Sequence, residues 1–208
     1  MGIGQNVQKF DLQLYLRSRF IDKGYKVSQI GTKKISGLFG LHPLPDFLFN
    51  TQYSDVDKVY AFNRVMKDVS MQEKPDVILL GIPDSLLPLN NKHRFSFGLY
   101  AYEIFNAVQP DFVITSLMAN NGYNDEFYSE ISKMAKYKYN VNIDAYFVSQ
   151  FCPLSNSIWS EKLSYVYLSR MELPKTEYKV YTTSDLNNDI LFKQAEKKLL
   201  LYGKYEQY

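Results

Sequence analysis

Lys74-Pro75-Asp76-Val77-Ile78-Leu79-Leu80-Gly81 is the stretch on which the fold turns. Four consecutive aliphatic residues leave no polar position for a solvent-facing side. Such a run predicts a strand covered on both faces, as strands of parallel sheets are. Pro75 closes the preceding helix, because it lacks an N–H and disfavours helical backbone at the residue before it. The same introduction recurs at Gln109-Pro110-Asp111, ahead of Phe112–Leu117. Two equivalent helix-to-strand turns in one chain imply a repeated alternation of elements.

The rest of the chain fits that alternation. Lys9–Lys23 predicts a helix, with Phe10, Leu14 and Arg17 near one stripe and Leu12, Leu16 and Phe20 near an adjacent one. Gly24 stops it, and Tyr25–Ile30 follows as a strand. Ser54 or Asp55 caps a helix to about Glu73. Helices are also expected over Phe97–Val108 and from Asn124 or Asp125 to Tyr139, with a strand at Ile143–Val148. Beyond Phe151 the pattern weakens. Tyr165–Leu168 and Tyr178–Tyr181 read as strands, and Asp189–Tyr202 as a terminal helix. The expected fold class is α/β, a doubly wound and mostly parallel sheet over residues 1–170. Residues 171–208 are expected to form a C-terminal extension.

Composition narrows the function. The chain has 208 residues, with 24 Lys and Arg against 22 Asp and Glu, for a net charge of +2. That balance argues against an electrostatically driven nucleic-acid partner. The single cysteine, Cys152, excludes an intrachain disulfide framework and a cysteine-rich zinc site, and reads as a buried thiol. No apolar run reaches the 18–20 residues or so of a membrane span, and no signal peptide is evident. A cytoplasmic protein without a membrane partner is expected.

In such a sheet, ligands bind at loops beyond the carboxyl ends of strands. Three loops qualify: Gly2–Lys9, Gly31–Gly40 and Ile82–Arg94. The first, Gly2-Ile3-Gly4-Gln5-Asn6-Val7-Gln8-Lys9-Phe10, runs directly into a helix. Glycines let backbone N–H groups surround a phosphate, and a lysine at the helix start reaches its terminal oxygens. Gly2, Gly4, Gln5, Asn6, Val7 and Lys9, with Thr32 after the second strand, are therefore the candidate nucleotide-binding residues. The simple phosphate-loop pattern fails at three points: Ile3, Gln8 and Phe10 replace its two glycines and its hydroxyl residue. Asp84 and His93 are the candidate catalytic residues, as a replacement carboxylate and a general acid/base. A plainer reading sits beside each. Lys9 is then a solvated helix-start lysine, Thr32 and Asp84 are turn residues, and His93 is a surface histidine. Glu103, among apolar helix residues, reads as a solvated face or as a partner for a cation across the pocket.

The loop spacing resembles the dethiobiotin synthetase-like branch of P-loop proteins, matched at Gly2, Val7 and Lys9. Asp76–Leu89 resembles that branch's strand and following turn, with Gly81 standing where the branch carries an acidic residue on the metal side. A longer resemblance covers about residues 2–170. Lys9-Phe10, Gln13-Leu14, Leu16-Arg17, Gly24–Thr32, Leu38-Phe39-Gly40, Lys74-Pro75-Asp76, Gly81-Ile82-Pro83, Phe97-Gly98 and Ala101-Tyr102-Glu103 resemble bacterial peptide maturation system proteins. Those proteins occur beside enzymes that modify ribosomally made peptides. Their usual turn is Gly-Ile-Pro-Gly-Gly; here Asp84 and Ser85 replace the last two glycines.

The resemblance implies an accessory role in peptide maturation, with a precursor peptide or a peptide-modifying enzyme as partner. ATP or GTP would bind weakly or not at all, without magnesium-dependent phosphoryl transfer. The alternatives are an active ATP- or GTP-dependent ligase or kinase-like enzyme, and a non-catalytic interaction module that forms homodimers through its helices. P-loop folds place a buried strand before the loop, and a strand needs about five residues. Here only Met1 precedes Gly2. The chain therefore reads as truncated at its front, or as a domain lacking that strand. Weak order through Gly4, or a vacant edge slot in the sheet, is expected.

Overall fold

The computed structural model describes residues 1–169 and 171–202. Arg170 and residues 203–208, at the boundary and end of the expected extension, lie outside the described residues. The architecture is mixed α/β. The helices are α1 (Lys9–Asp22), α2 (Asp55–Glu73), α3 (Leu99–Ala107), α4 (Asp125–Tyr139), α5 (Thr183–Asn187) and α6 (Ile190–Tyr202). The strands are β1 (Val27–Gly31), β2 (His42–Pro43), β3 (Val77–Leu80), β4 (Ile114–Leu117), β5 (Ala145–Val148), β6 (Phe151–Pro153), β7 (Tyr165–Tyr167) and β8 (Val180–Tyr181). Two parallel sheets form, in the orders β2-β1-β3 and β4-β5-β8, and β6-β7 is an antiparallel pair.

Local chemistry sets the helix starts. The Ser54 hydroxyl accepts from the Asp57 N–H at 3.2 Å, and Asn124 Oδ1 accepts from the Phe127 N–H at 2.9 Å. Both satisfy N–H groups that a helix leaves unpaired in its first turn. Val77–Leu80 is a strand, in register with Val27–Ile30 of β1. The loop expected over Gly31–Gly40, and the chain on to residue 52, are ordered by two 3₁₀ turns, Lys34–Phe39 and Asp46–Phe49, and by β2 beside β1. Burial of Leu41, Leu44 and Leu48 holds them down.

Strand alternation sends side chains to two apolar layers. Val27, Val77, Leu79, Ala145 and Phe147 pack with Leu12, Leu16 and Phe20 of α1 and with Leu191, Phe192 and Ala195 of α6. Ile30, Ile78, Leu80, Tyr146 and Val148 pack with α2, α3 and α4 through Phe62, Met66, Ile104 and Tyr128. Residues 171–202, set apart by sequence as an extension, thus supply β8 and α6 to these same layers.

The two parallel sheets do not pair with each other. Met1–Ile3 lies at the carboxyl end of the gap between β3 and β4. The Met1 ammonium donates to the Ile114 carbonyl at 2.8 Å, Ser116 N–H to the Met1 carbonyl at 2.9 Å, and Ile3 N–H to the Ser116 carbonyl at 3.0 Å. From the β3 side, Leu86 N–H donates to the Gly2 carbonyl at 2.9 Å. A cavity of about 610 Å³ extends along the rest of the gap. The opening expected at a sheet edge is therefore internal, and the first three residues are hydrogen-bonded into it. Strand order explains the difference, because chain order does not reveal which strands become neighbours.

Candidate functional site

The loop before α1 closes on its own lysine. Asn6 and Gln8 adopt left-handed backbone, at φ 54° and 52°, which turns the chain sharply into the helix. Val7 is buried, and Gln8 Oε1 accepts from the Gln150 N–H at 2.8 Å. The Lys9 stem folds back over Gly2. A Cβ at Gly2 would lie 2.8 Å from Val7 Cγ2 and 2.9 Å from Lys9 Cδ, so this close approach requires glycine. The Lys9 ammonium donates to the Asp84 carbonyl oxygen. Burial lowers its pKa to about 8, against a smaller opposing pull from the Asp84 carboxylate. Lys9 is thus an inward-turned lysine rather than a solvated one.

Asp84 stitches three segments together. Its backbone is left-handed at φ 55°. One carboxylate oxygen accepts from the Ser96 N–H at 2.6 Å, and the other from Gln5 Nε2 at 3.3 Å. Its neighbour Ser85 is buried and donates to the Leu87 carbonyl at 2.6 Å. Asp84 therefore behaves as a turn anchor whose carboxylate oxygens both have partners.

Gly81 ends β3 under the same loop. A Cβ there would collide with Thr32 Cγ2 and lie 2.7 Å from Gln13 Oε1. Gln13 Nε2 donates to the Ile30 carbonyl at 3.2 Å, which leaves Gln13 Oε1 buried without a partner. The position of the acidic residue in the resembling proteins is thus filled from two sides. Thr32 does reach this cluster, through its methyl group. The Gly4 Cα packs against Met118, whose Sδ would stand 3.0 Å from an added Cβ.

His93 belongs to a different contact. Its Nε2 is 2.9 Å from the Ser160 carbonyl, and its ring stacks on Phe95 with centroids 6.3 Å apart. Asn90 Nδ2 and Lys92 Nζ donate to the Ile158 and Trp159 carbonyls at 2.9 and 3.0 Å. Residues 90–93 therefore clamp residues 158–160, and none of the His93 hydrogen bonds reaches Lys9 or Asp84. The structure brings together Gly2, Gln5, Val7, Lys9 and Asp84, sets Thr32 against Gly81 and Gln13, seats Gly4 on Met118, and holds His93 on the Ser160 carbonyl.

Sequence reading passed over Gln13, although its place one helical turn after Lys9 marks it. It also passed over Glu73, which accepts from the Ser28 hydroxyl and lies 2.5 Å from His42 Nε2. The Ser28 bond is the main reason the Glu73 carboxyl titrates below the ordinary range. Among the described residues, no three His, Cys, Asp or Glu side chains gather as metal ligands. No helix among them is long and apolar enough to cross a membrane. No protein-family profile matches the chain, and no curated protein matches it.

Proposed function

We propose that the protein is an accessory factor in the maturation of a ribosomally synthesised peptide. Its P-loop-like, doubly wound domain would carry a phosphate loop that binds ATP or GTP weakly or not at all. The observation that carries the second half is the Lys9 ammonium turned onto the Asp84 carbonyl, with the lysine stem covering Gly2. A phosphate-binding lysine must reach outward to an anion; this one is enclosed by its own loop. The filled site at Gly81 supports the same reading, because a carboxylate on the metal side has no room there. The doubly wound fold draws support from parallel strands with apolar helix layers on both faces. The partner assignment rests on the resemblance over residues 2–170. A ligase or kinase-like reading would need the Asp84 carboxylate free, and both its oxygens accept hydrogen bonds.

Calorimetric titration with ATP and with GTP, each with magnesium, tests the loop. The expected result is no magnesium-dependent binding in the micromolar range, and the same result for Lys9→Ala. Micromolar, magnesium-dependent binding that Lys9→Ala abolishes would overturn the proposal. Pull-down of a ribosomally made precursor peptide or a peptide-modifying enzyme tests the partner; capture of neither would overturn that assignment.

A further inference from the structure

The face of α2 that turns away from the core carries a pattern that a solvated surface does not need. Lys58, Phe62, Met66 and Val69 are its buried side. On the opposite side Tyr53, Asp57, Tyr60, Arg64, Lys67 and Met71 are all exposed, Tyr60 by 72%. Tyr53 stands just ahead of the Ser54 cap, and the others lie on the helix. Their steps along the chain alternate between four and three residues, the spacing of a seam along which two helices pack.

The residues of this seam are self-complementary about position 62. Tyr53 and Met71 are equidistant from it, as are Asp57 and Lys67, and Tyr60 and Arg64. A second α2 laid antiparallel, with a two-fold axis level with Phe62, therefore sets each residue against its counterpart. Asp57 meets Lys67 of the second copy, an opposite-charge pair. Tyr60 meets Arg64, whose planar guanidinium stacks on a phenol ring. Tyr53 meets Met71, whose sulfur suits an aromatic edge. Two-fold symmetry makes every contact twice. The flanking positions agree. Ala61 and Asn63 each meet their own copy near the axis, Val56 meets Ser70, and Ser54 meets Asp68. No like charges face each other. A parallel pair in register would instead set Asp57 on Asp57, Arg64 on Arg64 and Lys67 on Lys67, which is repulsive throughout.

Contacts within the chain leave the seam able to pair. Arg64 reaches Asp68 only at 4.0 Å, with its own side chain 85% exposed. The Ser54 hydroxyl, at 2.6 Å, uses one Asp57 carboxylate oxygen. Asp57 and Lys67 are ten positions apart on one helix, about 15 Å, so they do not pair with each other within a chain. Asn63 Nδ2 donates to the Ala107 carbonyl at 2.7 Å, which ties the middle of the seam to α3.

We propose that α2 is the interface of an antiparallel homodimer of this chain. A second copy is the occupant because the charges of the seam match themselves, and in one direction only. The seam has fewer residues than the roughly 20–30 a side of a standard interface, so the dimer is weak, with a Kd of the order of 100 µM. No group of the phosphate loop takes part, so the pairing holds whether or not the proposed function does.

Sedimentation equilibrium of the full chain between about 5 and 500 µM tests the association. Asp57→Lys and Lys67→Asp each replace two opposite-charge pairs with two like-charge pairs, and each should raise Kd by about tenfold or more. Mixed in equal amounts, the two variants form a heterodimer in which both pairs between positions 57 and 67 are again opposite. Its Kd should return to within about threefold of the parent's. No rearrangement within a single chain gives that rescue. Circular dichroism checks that each variant is folded. Should Asp57→Lys not fold, Tyr60→Ala takes its place; it removes both ring–guanidinium contacts and should weaken the dimer by about tenfold.

A parent chain that stays monomeric up to about 500 µM would overturn the proposal. So would a dimer that Asp57→Lys or Tyr60→Ala leaves unchanged, or a mixture that associates no more tightly than either variant alone.

Discussion

Lys58 Nζ and Glu103 Oε1 form an ion pair at 3.1 Å that ties α2 to α3, with the lysine side chain 8% exposed and the glutamate 0%. The second glutamate oxygen, Oε2, is buried without a hydrogen-bond partner. Burial raises the Glu103 pKa, and Lys58 opposes that rise. Removing one member of a buried pair strands the other, whereas replacing both with apolar residues of similar volume is often neutral. Lys58→Met should destabilise the protein by about 3–5 kcal/mol in urea unfolding, and Lys58→Met with Glu103→Leu should recover most of that loss. The single variant should also gain stability as pH falls. Its glutamate has a folded-state pKa above the unfolded value, so the folded chain binds the extra proton.

Gly81→Asp puts a carboxylate where the resembling P-loop branch carries an acidic residue. The new Cβ would press on Thr32 and Gln13. Overpacking of this kind costs about 1–3 kcal/mol. Thermal unfolding should show the loss, and Gln13→Ala in the same chain should relieve part of it. Magnesium should stabilise neither variant.

The Met1 ammonium should make stability depend on pH. Burial, with a smaller contribution from Lys9, lowers its pKa from 8.0 to about 5. Between those values the unfolded chain holds a proton that the folded chain has released. Stability therefore rises from about pH 5 to about pH 8, by no more than about 1.4 kcal/mol per pH unit. Lys9, lowered from 10.5 to about 8, adds a second rise from about pH 8 to about pH 10.5. Urea unfolding across this range should show both. Acetylation of Met1 should flatten the first, and Lys9→Met the second.

Asp84 offers a test of anchor against catalyst. Asparagine tolerates left-handed backbone and keeps an acceptor, so Asp84→Asn should lie within about 1 kcal/mol of the parent. Asp84→Val combines backbone strain with loss of the bonds to Ser96 and Gln5, and should cost about 2–4 kcal/mol.

The elements legible in the sequence are those whose signals are local. Ser54 and Asn124 cap their helices through a hydroxyl and an amide placed three residues before the N–H they accept. The Pro-Asp turns mark the approaches to β3 and β4, and the Val77–Leu80 run reads as covered on both faces. β2 escaped because two residues, His42 and Pro43, carry no periodicity; the burial of Leu41 and Leu44 creates that strand. A cation partner for Glu103 was one of two readings, but Lys58 could not be singled out as that partner because the two are 45 positions apart on different helices. The site divides in the same way. Gly2, Lys9 and Asp84 stand out through local pattern, and the structure sets them against one another. The separation of His93 from them depends on residues 158–160, which no nearby spacing announces.

The strand layer formed by the two parallel sheets has a seam. Its two halves share helices above and below, but among the described residues the strands themselves are tied across the middle by Met1, Gly2, Ile3 and Leu86. A sheet paired along its whole width distributes load over many rungs. Here a pull that separates β3 from β4 concentrates on a few hydrogen bonds at one end, like a zip held by its last teeth. That end sets the mechanical strength of the strand layer, and it coincides with the loop that encloses Lys9.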